Sequence, residues 1–272
     1  MIPAPFAYRR ATSADEAIEL AADAGEDAKF LAGGHSLMPL MKLRLAVPDT
    51  LVDIGRISEL SHISERDGHI AIGAMTTHDE IARSGVLAAS VPLLAHVAGR
   101  IGDPQVRHCG TIGGSLAHAD PAADLPAVML ALDATFVARG PAGSREIAAA
   151  EFFLGLFETV LAPGELLTEI RIPKPASPAW SFQKFSKRGI DWAIVGVAVQ
   201  GGNVGLVNMG STPLRANATE QALASGASPD AAAAHAAEGT SPSGDLNAPR
   251  AYREHLARVL VRRALEEAGS RA

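Results

Sequence analysis

Two short stretches of paired glycines constrain this chain more than anything else in it: AGGHS at residues 32–36 and GTIGGS at residues 110–115. Glycine packs nothing and loses the most backbone freedom on ordering, so such pairs belong in turns, where positive φ or close backbone approach is needed. The first turn has clear flanks. Residues 28–32 read as a short apolar strand that runs straight into Gly33-Gly34-His35-Ser36, and Ser36 is placed to cap a helical turn over 37–43. Neither stretch is the G-x-G-x-x-G of a dinucleotide fold or the G-x-x-x-x-G-K-[ST] of a nucleotide triphosphatase.

The rest of the chain supplies a scaffold for both turns. Its 272 residues suffice for one large domain or two ordinary ones, and 47% are apolar, so a core forms without staples. The net charge is −6 with no long Lys/Arg run, which argues against nucleic acid or an anionic membrane as partner. The N-terminal MIPAPFAYRRATSADEA lacks the apolar core of a signal peptide, and no segment approaches eighteen uninterrupted apolar residues. A soluble cytoplasmic protein is the expectation. The single cysteine, Cys109, excludes an internal disulfide framework, a cysteine-rich zinc site and a cysteine-ligated iron–sulfur cluster within this chain.

Pattern and punctuation place the elements. Thr12 or Ser13 caps a helix over 14–24 with Glu16 in its first turn. Strands are expected at 50–53 and 68–73, the latter with a partner strand ahead of it. Helices follow at 78–84, capped by Thr76 or Thr77, and at 92–101. After the second glycine stretch come a polar loop over 118–124, a helix over 125–132, and strands at 134–138 and 166–172. The proline-rich PKPASPAW at 173–180 marks a domain boundary. Beyond it, 180–187, 193–200 and 204–209 read as a three-stranded antiparallel sheet with Gly201-Gly202-Asn203 as a hairpin turn. Alanine-rich 216–237 is expected to be helical, and 252–268 an amphipathic terminal helix.

A glycine turn exposes several backbone N–H groups on one concave side, a nest that binds an anion, and a following helix N-terminus adds its dipole. Two nests from distant parts of the chain could grip both halves of a pyrophosphate. No lysine sits inside either turn, so a diphosphate held but not cleaved is favoured over a triphosphate being hydrolysed. A dinucleotide such as FAD fits that description.

The flanks carry a family resemblance. AGGHSLMPLMKLRLAVPDTLVDI and DPQVRHCGTIGGSLAHADPAADLPAVMLALDA resemble the FAD-binding medium subunit of molybdenum hydroxylases, in particular the carbon monoxide dehydrogenase branch. The similarity continues through LLTEIRIP, KFSKRGIDWAIVGVAV and NMGSTPLRA to RVLVRRAL. It implies an α+β fold: a two-lobed FAD-binding domain of the PCMH type over residues 1–176, then a small C-terminal domain over 177–272 with a three-stranded antiparallel sheet and helices. FAD would be held non-covalently, its diphosphate wrapped by Ala32, Gly33, Gly34, His35 and Ser36 and by Thr111, Ile112, Gly113, Gly114 and Ser115. Many relatives have Asn where Ser115 stands. Lys29 matches a position near the adenosine half. Asp124 matches an aspartate on the sugar-alcohol chain, a role suited to a carboxylate, which accepts from hydroxyls and repels phosphate. Ile101 and Leu167 match apolar positions near the flavin ring, and Lys184 a lysine beside the ring. The resemblance further implies a small subunit with two [2Fe–2S] clusters and a large subunit with a molybdenum cofactor, assembled as a dimer of heterotrimers in the cytoplasm or peripheral to the inner face of the membrane. Electrons would leave for quinone, NAD or oxygen.

Other constellations have plainer readings. His35 contacts a ligand through its backbone rather than acting in acid–base chemistry. His118 and Asp120 have no third metal ligand. Cys109 reads as a buried thiol beside a turn, with nothing nearby to activate it. Met38, Met41 and Leu45 read as core or subunit contact, and the C-terminal arginines as a solvated face or subunit contact. The cluster Lys187-Arg188-x-x-Asp191-Trp192 allows two readings: a flavin or acceptor contact, or a salt-bridged surface turn with Trp192 packed between domains. No G-x-S-x-G elbow supports nucleophilic catalysis. Two alternatives to an electron-transfer subunit remain open at this level: a self-contained FAD oxidase or reductase, and a non-catalytic nucleotide-binding scaffold.

Overall fold

A computed structural model describes residues 2–271. The chain opens with a β–α–β unit. Strands Ala7–Arg10, Thr50–Asp53 and Ala28–Leu31 lie parallel in that order, with Thr50–Asp53 central and the helix Ala14–Ala24 packed on the sheet. Ser13 caps that helix by accepting from the Glu16 amide, while the Glu16 carboxylate reaches back to the Thr12 amide and hydroxyl. Val52, Ile54 and Ile18 pack into the small core of this first lobe.

The second lobe is built on a five-stranded antiparallel sheet in the order Ile63–Arg66, His69–Gly73, Leu166–Pro173, Thr135–Gly140, Gly143–Ala148. Leu166–Pro173 is its central strand, so a late segment of the chain is inserted between earlier ones. Helices His78–Arg83, Gly85–Ser90, Pro92–Ala98, Pro104–Cys109, Ile112–His118 and Asp124–Ala131 occupy the connection between His69–Gly73 and Thr135–Gly140. All eight residues of Asp124–Ala131 are buried, as expected for a helix apolar on every side. Ile70, Ile72, Leu94, Leu116, Val128, Phe136 and Ile170 form the main core.

The C-terminal part carries the three expected strands, Trp180–Phe185, Val195–Gln200 and Asn203–Val207, antiparallel and in sequence order. A two-residue fourth strand, Leu214–Arg215, extends that sheet. The helix Arg250–Gly269 lies across Trp180–Phe185 and Val195–Gln200. The alanine-rich stretch is not one helix: it splits into Asn217–Ala224 and Pro229–Ala233, interrupted at Gly226, which takes φ +84°, and Pro229. Among the described residues no helix is long and apolar enough to cross a membrane.

Three further expectations fail here. Cys109 is exposed rather than buried, because it ends a helix with no buried residue. Trp192 is 59% exposed rather than packed between domains, although Arg188 and Asp191 do form the expected salt-bridged turn at 3.1 Å. Of the C-terminal arginines, Arg253 is buried, donating to the Ile194 carbonyl and to Asp245.

Candidate functional site

The first glycine motif sits at the carboxyl end of the edge strand Ala28–Leu31, between that strand and the helix Leu37–Lys42. Open α/β sheets generally bind ligands at this end of their strands. Gly34 has φ +72°, which a side chain would strain. The amides of Gly33, Gly34, His35, Ser36 and Leu37 donate to no acceptor among the described residues. Five successive unpaired N–H groups at the entry to a helix form a concentrated donor array. Ser36 occupies the N-cap position with helical backbone angles and its hydroxyl caps nothing. The expected cap is absent, and that hydroxyl too is free.

The second motif is built differently from the open nest the sequence suggests. Thr111 is the N-cap of the helix Ile112–His118, and its hydroxyl accepts from the Gly114 amide at 3.1 Å. The Ile112 amide donates to the Thr76 carbonyl at 3.0 Å, Gly113 to Ala74 at 2.8 Å and Ser115 to Thr111 at 3.0 Å. This turn therefore offers no run of free amides. Its glycines serve close packing instead: a Cβ on Gly113 would lie 2.7 Å from the Ala74 carbonyl oxygen, and one on Gly114 2.8 Å from the Thr111 hydroxyl.

The fold presses the two motifs together. A Cβ on Gly33 would collide with the carbonyl of Cys109 and lie 3.0 Å from the Gly110 Cα, and one on Gly114 would lie 3.6 Å from the Ala32 Cβ. The segments are about eighty residues apart in sequence, and only bare backbone allows them to meet. Three groups able to carry positive charge, His35, His78 and Arg107, interact electrostatically around this junction, and burial together with the other two pushes the His78 imidazole down to about 4. Arg107 is fixed by donating to the carbonyls of Ile101 and Gly102 at 3.0 and 3.1 Å.

A second group of expected residues meets where the C-terminal sheet covers the helices. The Lys184 ammonium donates to Asp124 Oδ2 at 2.7 Å, and both side chains are almost wholly buried. Burial pushes the Asp124 carboxyl up, opposed by the Lys184 and Arg100 charges. Asp124 Oδ1 is buried without a partner. An orphaned carboxylate oxygen beside a paired one fits a hydroxyl-bearing ligand. The two groups are linked through the helix Ile112–His118, which packs on Asp124–Ala131.

The other expected positions divide. Leu167 is buried in the main core, and Ile101 packs half-buried against that core. Lys29 is exposed on its edge strand, and His35 is exposed, its Nδ1 3.1 Å from the Gly33 carbonyl. Arg100, His78 and Arg107 escape a reading based on motifs, because none lies in a glycine stretch. Among the described residues no three His, Cys, Asp or Glu side chains converge as a metal site. Two recesses lie elsewhere. One, of about 240 Å³, is lined by His62, Arg139, Glu169 and Arg171, and its Glu169 is engaged by both His62 and Arg171. The other, of about 340 Å³, lies by Phe185, Lys187 and Leu246.

Known proteins share this architecture. Residues 4–175 match the FAD-binding domain of molybdopterin dehydrogenases, and residues 180–268 the C-terminal domain of carbon monoxide dehydrogenase flavoproteins. The chain is 41% identical over its whole length to the carbon monoxide dehydrogenase medium chain of Afipia carboxidovorans, covering 99% of that chain. It is also 41% identical to the alpha subunit of the 6-hydroxypseudooxynicotine dehydrogenase complex of Paenarthrobacter nicotinovorans, covering all of this chain and 97% of that one. Carbon monoxide dehydrogenase of Hydrogenophaga pseudoflava, in a form lacking the Mo-pyranopterin moiety of its cofactor, contains a chain that superposes with a TM-score of 0.95 at 42% identity, each chain wholly covered.

Proposed function

The chain belongs to the FAD-binding medium chains of the molybdopterin dehydrogenases, and from that premise we propose that it is the electron-transfer subunit of a molybdenum hydroxylase complex most like aerobic carbon monoxide dehydrogenase. In this reading it receives electrons from the [2Fe–2S] clusters of a small subunit, while a large subunit with the molybdenum cofactor oxidises the substrate. It passes the electrons to quinone, NAD or oxygen. The complex is a dimer of heterotrimers working in the cytoplasm or at the inner face of the membrane. The chain divides at residue 176 into the FAD-binding domain, 1–176, and the C-terminal domain, 177–272.

One observation carries this reading: the five unpaired amides from Gly33 to Leu37, pressed by bare backbone against the second motif. Such an array suits the diphosphate of FAD, held non-covalently. Hydrogen bonds to a charged group contribute about 1.5–3 kcal/mol each, so several suffice for retention. Gly33, Gly34, His35 and Ser36 would supply amides together with the free Ser36 hydroxyl, and Ala32 would line the turn. The second motif would contribute chiefly through Thr111 and Ser115, while Ile112, Gly113 and Gly114 shape the wall. Asp124 Oδ1 would accept from a hydroxyl of the sugar-alcohol chain, with Lys184 keeping the carboxylate charged and in place. Ile101 and Leu167 would flank the ring, and Lys29 would meet the adenosine half. Bound FAD supplies the capacity to exchange electrons singly on one side and in pairs on the other. The protein residues bind and orient; none is assigned proton transfer.

Purification of the full chain with its native partners, followed by flavin, iron and molybdenum analysis, tests the proposal. One FAD per chain is expected, with iron and molybdenum on separate subunits. A colourless chain that takes up no added FAD would sink it, as would rapid turnover of a small organic reductant by this chain alone.

A further inference from the structure

His78 lies outside both glycine motifs, yet it stands at their junction. It is the first residue of the helix His78–Arg83, and that helix start is rigid. Thr77 and Glu80 form a reciprocal capping box, with the Thr77 hydroxyl accepting from the Glu80 amide at 3.2 Å and the Glu80 carboxylate accepting from the Thr77 amide at 2.7 Å. The backbone on either side of Thr77 is zipped to the second motif. The His78 amide donates to the Gly110 carbonyl at 3.0 Å, the Ile112 amide donates to the Thr76 carbonyl at 3.0 Å, and Thr77 pairs with Thr111 as an antiparallel bridge.

His78 is 5% exposed, and its ring lies against Gly110 through the Cδ2 and Nε2 atoms. A Cβ on Gly110 would lie 2.9 Å from His78 Cδ2 and 3.0 Å from Nε2, so no other residue fits at 110 while this ring is in place. Gly33 in turn meets the Cys109 carbonyl and the Gly110 Cα. The order of contact is therefore His78 ring, Gly110 backbone, Gly33 backbone. His78 Nδ1, on the far edge of the ring, is buried with no partner. An unsatisfied buried nitrogen is costly, and an apolar side chain would avoid that cost. The ring is kept uncharged by its burial, so it acts here through shape and through its Nε2 edge.

We propose that His78 is a positioning residue for the dinucleotide cradle: its Cδ2–Nε2 edge backs Gly110 and so holds the second motif against the free amides that begin at Gly33. This inference rests on the FAD reading above and assigns His78 no part in electron transfer.

The test compares His78→Asn with His78→Gln in the full-length chain. Asn keeps atoms at the Nδ1 and Cδ2 positions but has none near Nε2, so half of the edge that backs Gly110 is lost; Gln places an amide nitrogen near Nε2. FAD affinity is read by quenching of flavin fluorescence on titration, and flavin environment by visible circular dichroism. Asn is expected to weaken FAD binding at least tenfold and alter the dichroism of the flavin that remains. Gln is expected to stay within threefold of the unmodified chain and to keep its dichroism. Val97→Ala, a truncation in the core of the neighbouring helix Pro92–Ala98, controls for instability: it should lower the melting temperature and leave FAD affinity within threefold. Equal affinities for the Asn and Gln variants would overturn the proposal, and so would a loss in Val97→Ala matching that of Asn. An unmodified chain that binds no FAD would instead refute the underlying functional reading.

Discussion

Gly33 and His78 both meet the backbone at Cys109–Gly110, and each makes a separate prediction. A methyl group on Gly33 would collide with the Cys109 carbonyl, a backbone atom that cannot rotate away. Gly33→Ala is therefore expected to part the two motifs and weaken FAD binding by tenfold or more, with a modest fall in melting temperature. Gly68→Ala is the matched control, a strained positive φ (+79°) with no neighbour within 4 Å and far from the motifs in sequence. It should cost stability and leave FAD affinity unchanged. His78 predicts a pH dependence. Burial lowers its folded value to about 4 from an ordinary 6.5. Between those two values the unfolded chain binds a proton that the native chain refuses, so stability falls as pH falls through that window. One proton gives at most about 1.4 kcal/mol per pH unit. Denaturant melts at pH 6.5 and pH 5 should show His78→Gln losing less on acidification than the unmodified chain, by up to about 2 kcal/mol. Parallel losses in the two proteins would show that His78 does not take up the proton.

The helix Leu37–Lys42 begins without a side-chain cap, and that omission is informative. At an ordinary N-terminus, replacing a capping serine with alanine costs about 0.5–2 kcal/mol. The Ser36 hydroxyl caps nothing here, so Ser36→Ala should leave the melting temperature of the FAD-free chain nearly unchanged while weakening FAD binding several-fold. Thr111→Ala should do the reverse in part, because the Thr111 hydroxyl does cap its helix through Gly114. Loss of melting temperature with unchanged FAD affinity in Ser36→Ala would assign that hydroxyl to the fold instead. These two helix starts also show what the sequence makes legible. The strand at Ala28–Leu31, the glycine turn after it, the central strand Leu166–Pro173 and the C-terminal hairpin can all be read from period and punctuation, since those are properties of neighbours along the chain. The open amides of the first motif follow from the same local logic. The closed state of the second does not: its Ile112 and Gly113 donors are consumed by Thr76 and Ala74, more than thirty residues upstream. Nothing within GTIGGS distinguishes a glycine needed for positive φ from one needed for contact with Ala74. For the same reason Arg100 and His78 became visible only once the chain had folded back on itself.

At the scale of the whole molecule the proposed boundary at residue 176 divides the sequence but not the core. Phe182 and Ala198 of the C-terminal sheet belong to the same buried cluster as Leu94, Val128 and Met129. The backbone at Gly205 meets the Ala127 carbonyl so closely that a Cβ there would clash. Packing of this kind couples the two parts, and the full chain should unfold in a single calorimetric transition. The ion pair between Asp124 and Lys184 lies across this seam, with one partner from each part. Removing one member of a buried pair leaves an uncompensated charge and typically costs about 3–5 kcal/mol, whereas replacing both members can be nearly neutral. Lys184→Met should therefore be strongly destabilised at pH 8, and Asp124→Asn combined with Lys184→Met should recover most of the loss. Acidification supplies the sign. Burial already pushes the Asp124 carboxyl up, and without Lys184 only Arg100 opposes that shift. The native variant then keeps a proton that its unfolded chain has released, so its stability falls as pH rises. Lys184→Met should thus be less impaired at pH 5 than at pH 8, and the doubly substituted chain should lack this difference. FAD separates the fold from the site: both variants lose the carboxylate environment proposed for the sugar-alcohol chain, so the double substitution should restore melting temperature without restoring FAD affinity. If affinity returned together with stability, Asp124 would be a structural member of the seam with no contact to the cofactor.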